Sequence, residues 1–232
     1  MTLCRNDRLL FSFTRGPALG TFDGDTFDEL VPGFRTPEAA RMNDGACDAL
    51  GRFWSGSYDP TLTSAIGSIY CFEPGRATET VKGVRLSNGI RFSPDNRTMY
   101  FVDSNPGHIW AYEYDLQSAE PGQRRLLVNL EGTGVKPDGC TIDTDGCLWV
   151  AEVGRGRVAR YTPSGELDQI VTVPVRKPTS VCFGGPRNNV LYITSRYSGE
   201  TGGVPDDELA GSLFAAQVSA TGLPEHRFDT GR

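Results

Sequence analysis

Lys136 to Glu152 reads Lys-Pro-Asp-Gly-Cys-Thr-Ile-Asp-Thr-Asp-Gly-Cys-Leu-Trp-Val-Ala-Glu. Cys140 and Ile142 alternate with polar neighbours, as in a strand with one buried face. Asp145-Gly146 then supplies the positive backbone angles of a short hairpin turn. Leu148, Trp149 and Val150 form the return strand. Asp138 stands just ahead of the first strand's apolar residues.

The chain repeats this unit. Placing Asp143 on Asp48 puts Gly146 on Gly51 and Trp149 on Trp54. A third copy runs from Ser87-Asn88-Gly89 to Asp95 and returns through Met99 to Val102. A fourth runs from Thr179 to Gly185 and returns through Val190 to Ile193. The leading polar residues Asn43, Asn88, Asp138 and Thr179 are spaced by 45, 50 and 41 residues. Strand–turn–strand content at that period predicts an all-β propeller. Four unrelated hairpins in a β-sandwich would not reuse one polar slot.

Blades are related by rotation about one axis, so equivalent residues at the start of the inner strands converge at the channel mouth. Asn43, Asn88, Asp138 and Thr179 are therefore expected to form a ring. A carboxylate and amide carbonyls suit a hard cation such as Ca²⁺, Mg²⁺ or Mn²⁺. The same residues would equally satisfy strand-end backbone groups. The pattern leaves both readings open. Arg41, two residues before Asn43, is placed to bind a substrate's oxygens bidentately, or simply to face solvent.

Composition narrows the class. With 232 residues, 38% of them hydrophobic, the chain can hold a single β domain over 1–232, with 1–40 as the outer part of a blade. The net charge of −6 with dispersed Lys and Arg argues against nucleic acid. No apolar run approaches a membrane span, and the first residues lack a signal peptide's apolar core. The six cysteines contain no Cys-x-x-Cys, so a zinc–thiolate site is not expected. They read as reduced thiols of a cytoplasmic protein. Gly154-Arg155-Gly156 loosely matches a dinucleotide fingerprint but leads into a strand, where the motif needs a helix N-terminus. His108 and His226 are the only histidines, and no Gly-x-Ser-x-Gly elbow is present, which argues against a Ser-His-Asp hydrolase. Asp95, Asp143 and Asp145 read as turn residues and Trp54 and Trp149 as core. Ser198 to Glu208 reads as a surface loop.

Arg41-Met42-Asn43-Asp44-Gly45, Leu86-Ser87-Asn88-Gly89-Ile90, Lys136-Pro137-Asp138-Gly139 and Phe183-Gly184-Gly185, in that order, resemble the SMP-30/gluconolactonase/luciferin-regenerating family. The tail from Gly222-Leu223-Pro224-Glu225 to Phe228 fits as well. The resemblance implies a six-bladed propeller that hydrolyses lactones with one divalent cation, Ca²⁺ first and Zn²⁺ or Mn²⁺ as alternatives. It implies Asn88 and Asp138 as metal ligands, Asp138 as general base or water-orienting group, and Asn43 and Arg41 as substrate-binding residues. It also implies a glutamate ligand from a first blade, in a motif absent before Leu9; Glu29 and Glu38 lie on later elements. The fold is thus expected to be an N-terminally incomplete version, with about five blades' worth of chain. The chain is either part of a longer protein or a short form with an open or five-bladed ring. The expected function is a metal-dependent lactonase with a small-molecule lactone as its partner. The alternative is a non-catalytic propeller that binds a metabolite or a protein.

Overall fold

The structure is a computed structural model that describes every residue except 15, 22, 23, 25, 38, 198–206 and 232. The described strands form five antiparallel sheets arranged as propeller blades. The first holds β1 (Thr2–Leu3), β2 (Leu9–Phe13), β3 (Gly16–Gly20) and β4 (Asp28–Glu29). The second holds β5 (Arg41–Cys47), β6 (Phe53–Tyr58), β7 (Gly67–Glu73) and β8 (Arg76–Val84). β9 (Ser87–Phe92), β10 (Thr98–Asp103), β11 (His108–Asp115) and β12 (Glu120–Asn129) make the third. β13 (Lys136–Ile142), β14 (Leu148–Val153), β15 (Arg157–Tyr161) and β16 (Leu167–Thr172) make the fourth. The last has β17 (Pro178–Gly184), β18 (Val190–Ser195) and β19 (Leu213–Gln217). Among the described residues there is no helix, and none long and apolar enough to cross a membrane.

The inner strands pack on one another, with β9 between β5 and β13, and β17 on β13. Four apolar clusters fill the four spaces between consecutive sheets. Leu10 meets Phe53 and Phe72; Trp54 meets Ile90 and Phe101; Val102 meets Val150; Trp149 meets Val181 and Leu191. Trp54 and Trp149 are fully buried, and truncating either to alanine would cost about 3–5 kcal/mol.

The repeated aspartates clamp the hairpins at the far end of the inner strands. Asp143 Oδ1 accepts the N–H groups of Asp145 and Cys147 at 3.0 and 2.9 Å. Its Oδ2 accepts Trp149 Nε1 and Arg160 Nε, both at 2.8 Å. Asp48 does the same for Leu50, Arg52 and Trp54 and also accepts the Tyr114 hydroxyl at 2.8 Å. In the third sheet Ser93 takes the position, accepting Arg97 N–H and Thr98 N–H at 3.2 and 2.9 Å. The 143–146 turn closes with Gly146 N–H donating to Asp143 C=O at 3.0 Å. Only Gly146 takes a positive φ, 79°, so this is a four-residue turn with one left-handed position and not the two-residue hairpin expected.

Residues 1–40, expected to supply only the outer part of a blade, pair into a four-stranded sheet with a two-residue β1. β3 opens at Gly16-Pro17. Most of the predicted 198–208 loop lies outside the described residues. The tail crosses the far ends of the inner strands: Thr144 N–H donates to Thr221 C=O at 2.8 Å and Phe228 N–H to Leu3 C=O at 2.9 Å. All six cysteines are free, and burial pushes the Cys47 and Cys140 thiols up to about 12.

Candidate functional site

Each inner strand breaks register at its leading polar residue. On β5, Met42 pairs with Ser57 and Gly45 with Ser55, so Asn43 and Asp44 share one partner position. On β13, Pro137 pairs with Glu152 and Cys140 with Val150, which leaves Asp138 and Gly139 in the same situation. Gly89 is the extra residue on β9 and Thr179 on β17. A β-bulge frees a residue from the ladder and re-aims its side chain. Four bulges at equivalent places thus turn one end of the inner strands into a cluster of released polar groups.

Glycine lets these strands crowd together. A methyl group on Gly89 would stand 2.6 Å from Cys140 Sγ and 3.0 Å from the Asp138 carbonyl oxygen. One on Gly139 would stand 2.3 Å from Ser180 Oγ. Asn43 Nδ2 donates to Ser87 C=O at 2.7 Å and to Asn88 Oδ1 at 2.8 Å. Asn88 Nδ2 donates to Ser104 Oγ at 2.8 Å. This leaves Asn88 Oδ1 with a second lone pair.

Asp138 has a different environment. Burial first, then the like charge of Asp44, pushes its carboxyl up to about 7. The Gly139 N–H and the Arg196 charge pull the other way without prevailing. A carboxylate raised by these two effects favours whatever positive charge comes beside it, a proton or a metal ion. Among the described residues no three His, Cys, Asp or Glu side chains gather into a metal cluster. The donors that fit a cation are therefore oxygens of mixed type, the Asn88 amide and the Asp138 carboxylate, a set suited to hard divalent ions.

The predicted residues do not all converge. Asn43 and Asn88 touch, and Asp138 lies on the strand against Gly89. Thr179 instead shares a hydrogen bond with Thr194 at 2.9 Å within its own sheet. Arg41 is exposed at the start of β5 and lines a cavity of 720 Å³ with Thr14, Arg35, Thr36, Asp59 and Thr61. Glu29 is taken up by Arg35 and the Gly33 N–H, and Glu38 is outside the described residues. Gly154 and Gly156 lie in the β14–β15 turn with positive φ, as a hairpin requires. His108 faces Glu131 at 3.6 Å.

Two residues were not anticipated. Asp44 acts on Asp138 from the β5 bulge. The Asn-Asp-Gly run is its only sequence signal, and that run reads as a turn. Arg91 is the other. Its side chain is 14% exposed, its Nε is buried without a partner, and Nη2 lies 3.8 Å from Glu225. Its position on β9 alone did not tell which way it faces.

Known proteins share this chain's sequence family and fold. The family model for the SMP-30/gluconolactonase/LRE-like region matches residues 1–197. A 6-deoxy-6-sulfogluconolactonase of Pseudomonas putida is 37% identical over 195 residues, 82% of this chain and 66% of that protein. Regucalcin of Gallus gallus is 36% identical over 197 residues, 81% and 66% of the two chains. The chain thus spans about two thirds of the length of these relatives. The solved structure of a calcium-binding protein, regucalcin from Agrobacterium tumefaciens, superposes with a TM-score of 0.88 at 25% identity, covering 98% of this chain and 78% of that one. With repeat, fold and family model in agreement, this chain belongs to the SMP-30/gluconolactonase/LRE-like family.

Proposed function

We propose that this chain is a divalent-metal-dependent lactone hydrolase of the gluconolactonase type, opening sugar-acid or related lactones. The observation that carries the proposal is Asp138: a half-buried carboxyl on a bulge, pushed up to about 7 by its surroundings, against the strand that bears Asn88. Asn88 and Asp138 would hold the cation, with Ca²⁺ first and Zn²⁺ or Mn²⁺ as alternatives. When bound, the cation supplies Lewis acidity toward a lactone carbonyl and its developing oxyanion.

The chain's own groups do the rest. Asp138 orients the attacking water, takes its proton as the oxygen adds to the lactone carbonyl, and returns that proton to the ring oxygen as the C–O bond breaks. Asn43 fixes the Asn88 amide and offers a polar contact to the substrate. Arg41 binds substrate oxygens at the mouth, where a planar guanidinium holds two at once. The free thiols, Cys182 exposed and the other five buried, favour a reducing, cytoplasmic setting.

The test is hydrolysis of a simple aldonolactone by purified protein, before and after chelation, with Ca²⁺, Zn²⁺ and Mn²⁺ added back. Activity is expected to vanish with the metal and return with it, and Asp138→Ala is expected to abolish it. Full activity in Asp138→Ala would overturn the assignment. Tight ligand binding without turnover by any metal form would make the chain a binding propeller.

A further inference from the structure

The polar floor of the site is acidic, yet its rim is cationic. Two residues ahead of Asn43, Asn88, Asp138 and Thr179 stand Arg41, Leu86, Lys136 and Lys177, and Arg85 adjoins Leu86. Arg41 and Lys136 are the first residues of β5 and β13, so both stand at the mouth end of their inner strands, ahead of the bulges. Arg196 belongs to the same rim. Its N–H donates to Lys177 C=O at 3.0 Å, and its charge is felt at Asp138.

Among the described residues, the side chains of Arg41, Arg85, Lys136 and Arg196 form no ion pair and no hydrogen bond, and all four residues are exposed. Apart from Asp44 and Asp138, the carboxylates near this end are already committed. Asp59 is wrapped by Thr61, Thr63 and Ser64. Asp103 accepts the Arg85 and Leu86 N–H groups at 3.2 and 2.8 Å. Glu152 is buried against Arg157 and the Tyr161 hydroxyl. In a chain of net charge −6, uncommitted cations around one opening are a local feature with a local consequence.

We infer that the site selects lactones carrying an anionic substituent, a phosphate, sulfonate or carboxylate, on the part of the molecule that stays at the rim. This rests on the lactonase reading above. The reacting carbonyl belongs at the floor, beside Asn88 and Asp138, so the lactone ring goes inward and its substituent stays at the rim. Lys136, Arg196 and Arg85 receive the charged end, together with Arg41. A neutral lactone fits the floor but leaves the rim cations without a partner. Rim cations act partly through encounter rate, so the preference falls with added salt.

The experiment compares kcat/KM for gluconolactone 6-phosphate and gluconolactone at low and high salt, in wild type and in Lys136→Gln/Arg196→Gln. Wild type is expected to favour the phosphorylated lactone by about 10-fold or more at low salt, and the double variant to reduce that ratio about 3–10-fold. In parallel, calorimetry compares glucitol 6-phosphate with glucitol, which needs no turnover; the phosphate is expected to tighten binding. A ratio of one in wild type while gluconolactone is opened would overturn this inference and leave the lactonase reading intact. Opening of neither lactone, with glucitol 6-phosphate still preferred, would sink the lactonase reading and support the cationic rim. Equal binding of both glucitols, or an unchanged ratio in the double variant, would overturn the role of the rim.

Discussion

Asp138 and Asp143 lie five residues apart in one repeat, but at opposite ends of β13 and in different surroundings. Asp143 is fully buried, and its two oxygens accept four hydrogen bonds, one of them from Arg160. Asp138 sits on a bulge beside Asp44, and burial with that like charge holds its carboxyl near neutrality. The far end of the inner strands uses its aspartates to close hairpins. The mouth end keeps its polar groups available. The same residue type in the same repeat thus serves folding at one end and is left free for a ligand at the other, and the bulges decide which.

The strongest way to sharpen that contrast is to remove the clamp. Asp143→Ala leaves the buried Trp149 indole N–H and two backbone N–H groups unpaired, while Arg160 keeps Asp145 and Asp168. It is expected to destabilise the protein by about 2–4 kcal/mol in denaturant unfolding. Gly89→Ala comes next. Its methyl group would enter the space of Cys140 Sγ and the Asp138 carbonyl, with an expected loss of about 1–3 kcal/mol and weaker cation binding by titration.

Asp138→Asn should act in the opposite direction on stability. A carboxyl whose folded pKa lies above its unfolded value binds more protons in the native state. Its contribution therefore favours folding at low pH and is lost as pH rises from about 4 to about 7. With the metal chelated, the Asp138→Asn variant should be more stable than wild type at pH 8 by about 1–3 kcal/mol, with a flatter pH slope between those values. A loss of several kcal/mol would show that Asp138 is another clamp. In the wild type the proton competes with the cation, so metal affinity should fall as pH drops below about 7. The smallest effect is expected for Thr179→Val, which gives up only the Thr194 bond, within about 1 kcal/mol of wild type.

Much of this was legible in the sequence. Asp48, Trp54, Asp143 and Trp149 marked the repeat because each pair serves one physical unit, a carboxylate closing a turn and an indole donating back to it. Asn43, Asn88 and Asp138 were singled out because rotation about an axis brings equal positions together, and the structure puts Asn43 against Asn88. The bulges were not legible. One extra residue leaves the hydrophobic alternation on either side intact, yet it decides where Asp44 points. Arg91 was missed for a related reason: strand alternation does not tell a channel from solvent. β8 escaped because Arg76 to Val84 is mostly polar and half exposed, as an outer strand can be. Thr179 shows the limit of the repeat, since its side chain bonds Thr194 within its own sheet, whereas Asn43 reaches across to Asn88 on the next one.

The most direct test of the central claim measures cation-dependent aldonolactone hydrolysis in wild type, Asp138→Asn and Asp48→Asn, each corrected for its folded fraction. The account predicts at least about a 100-fold loss in folded Asp138→Asn, with no comparable loss per folded molecule in Asp48→Asn. Equal rates in wild type and Asp138→Asn, or an equal loss in both variants, would contradict the division of labour between the two ends of the inner strands.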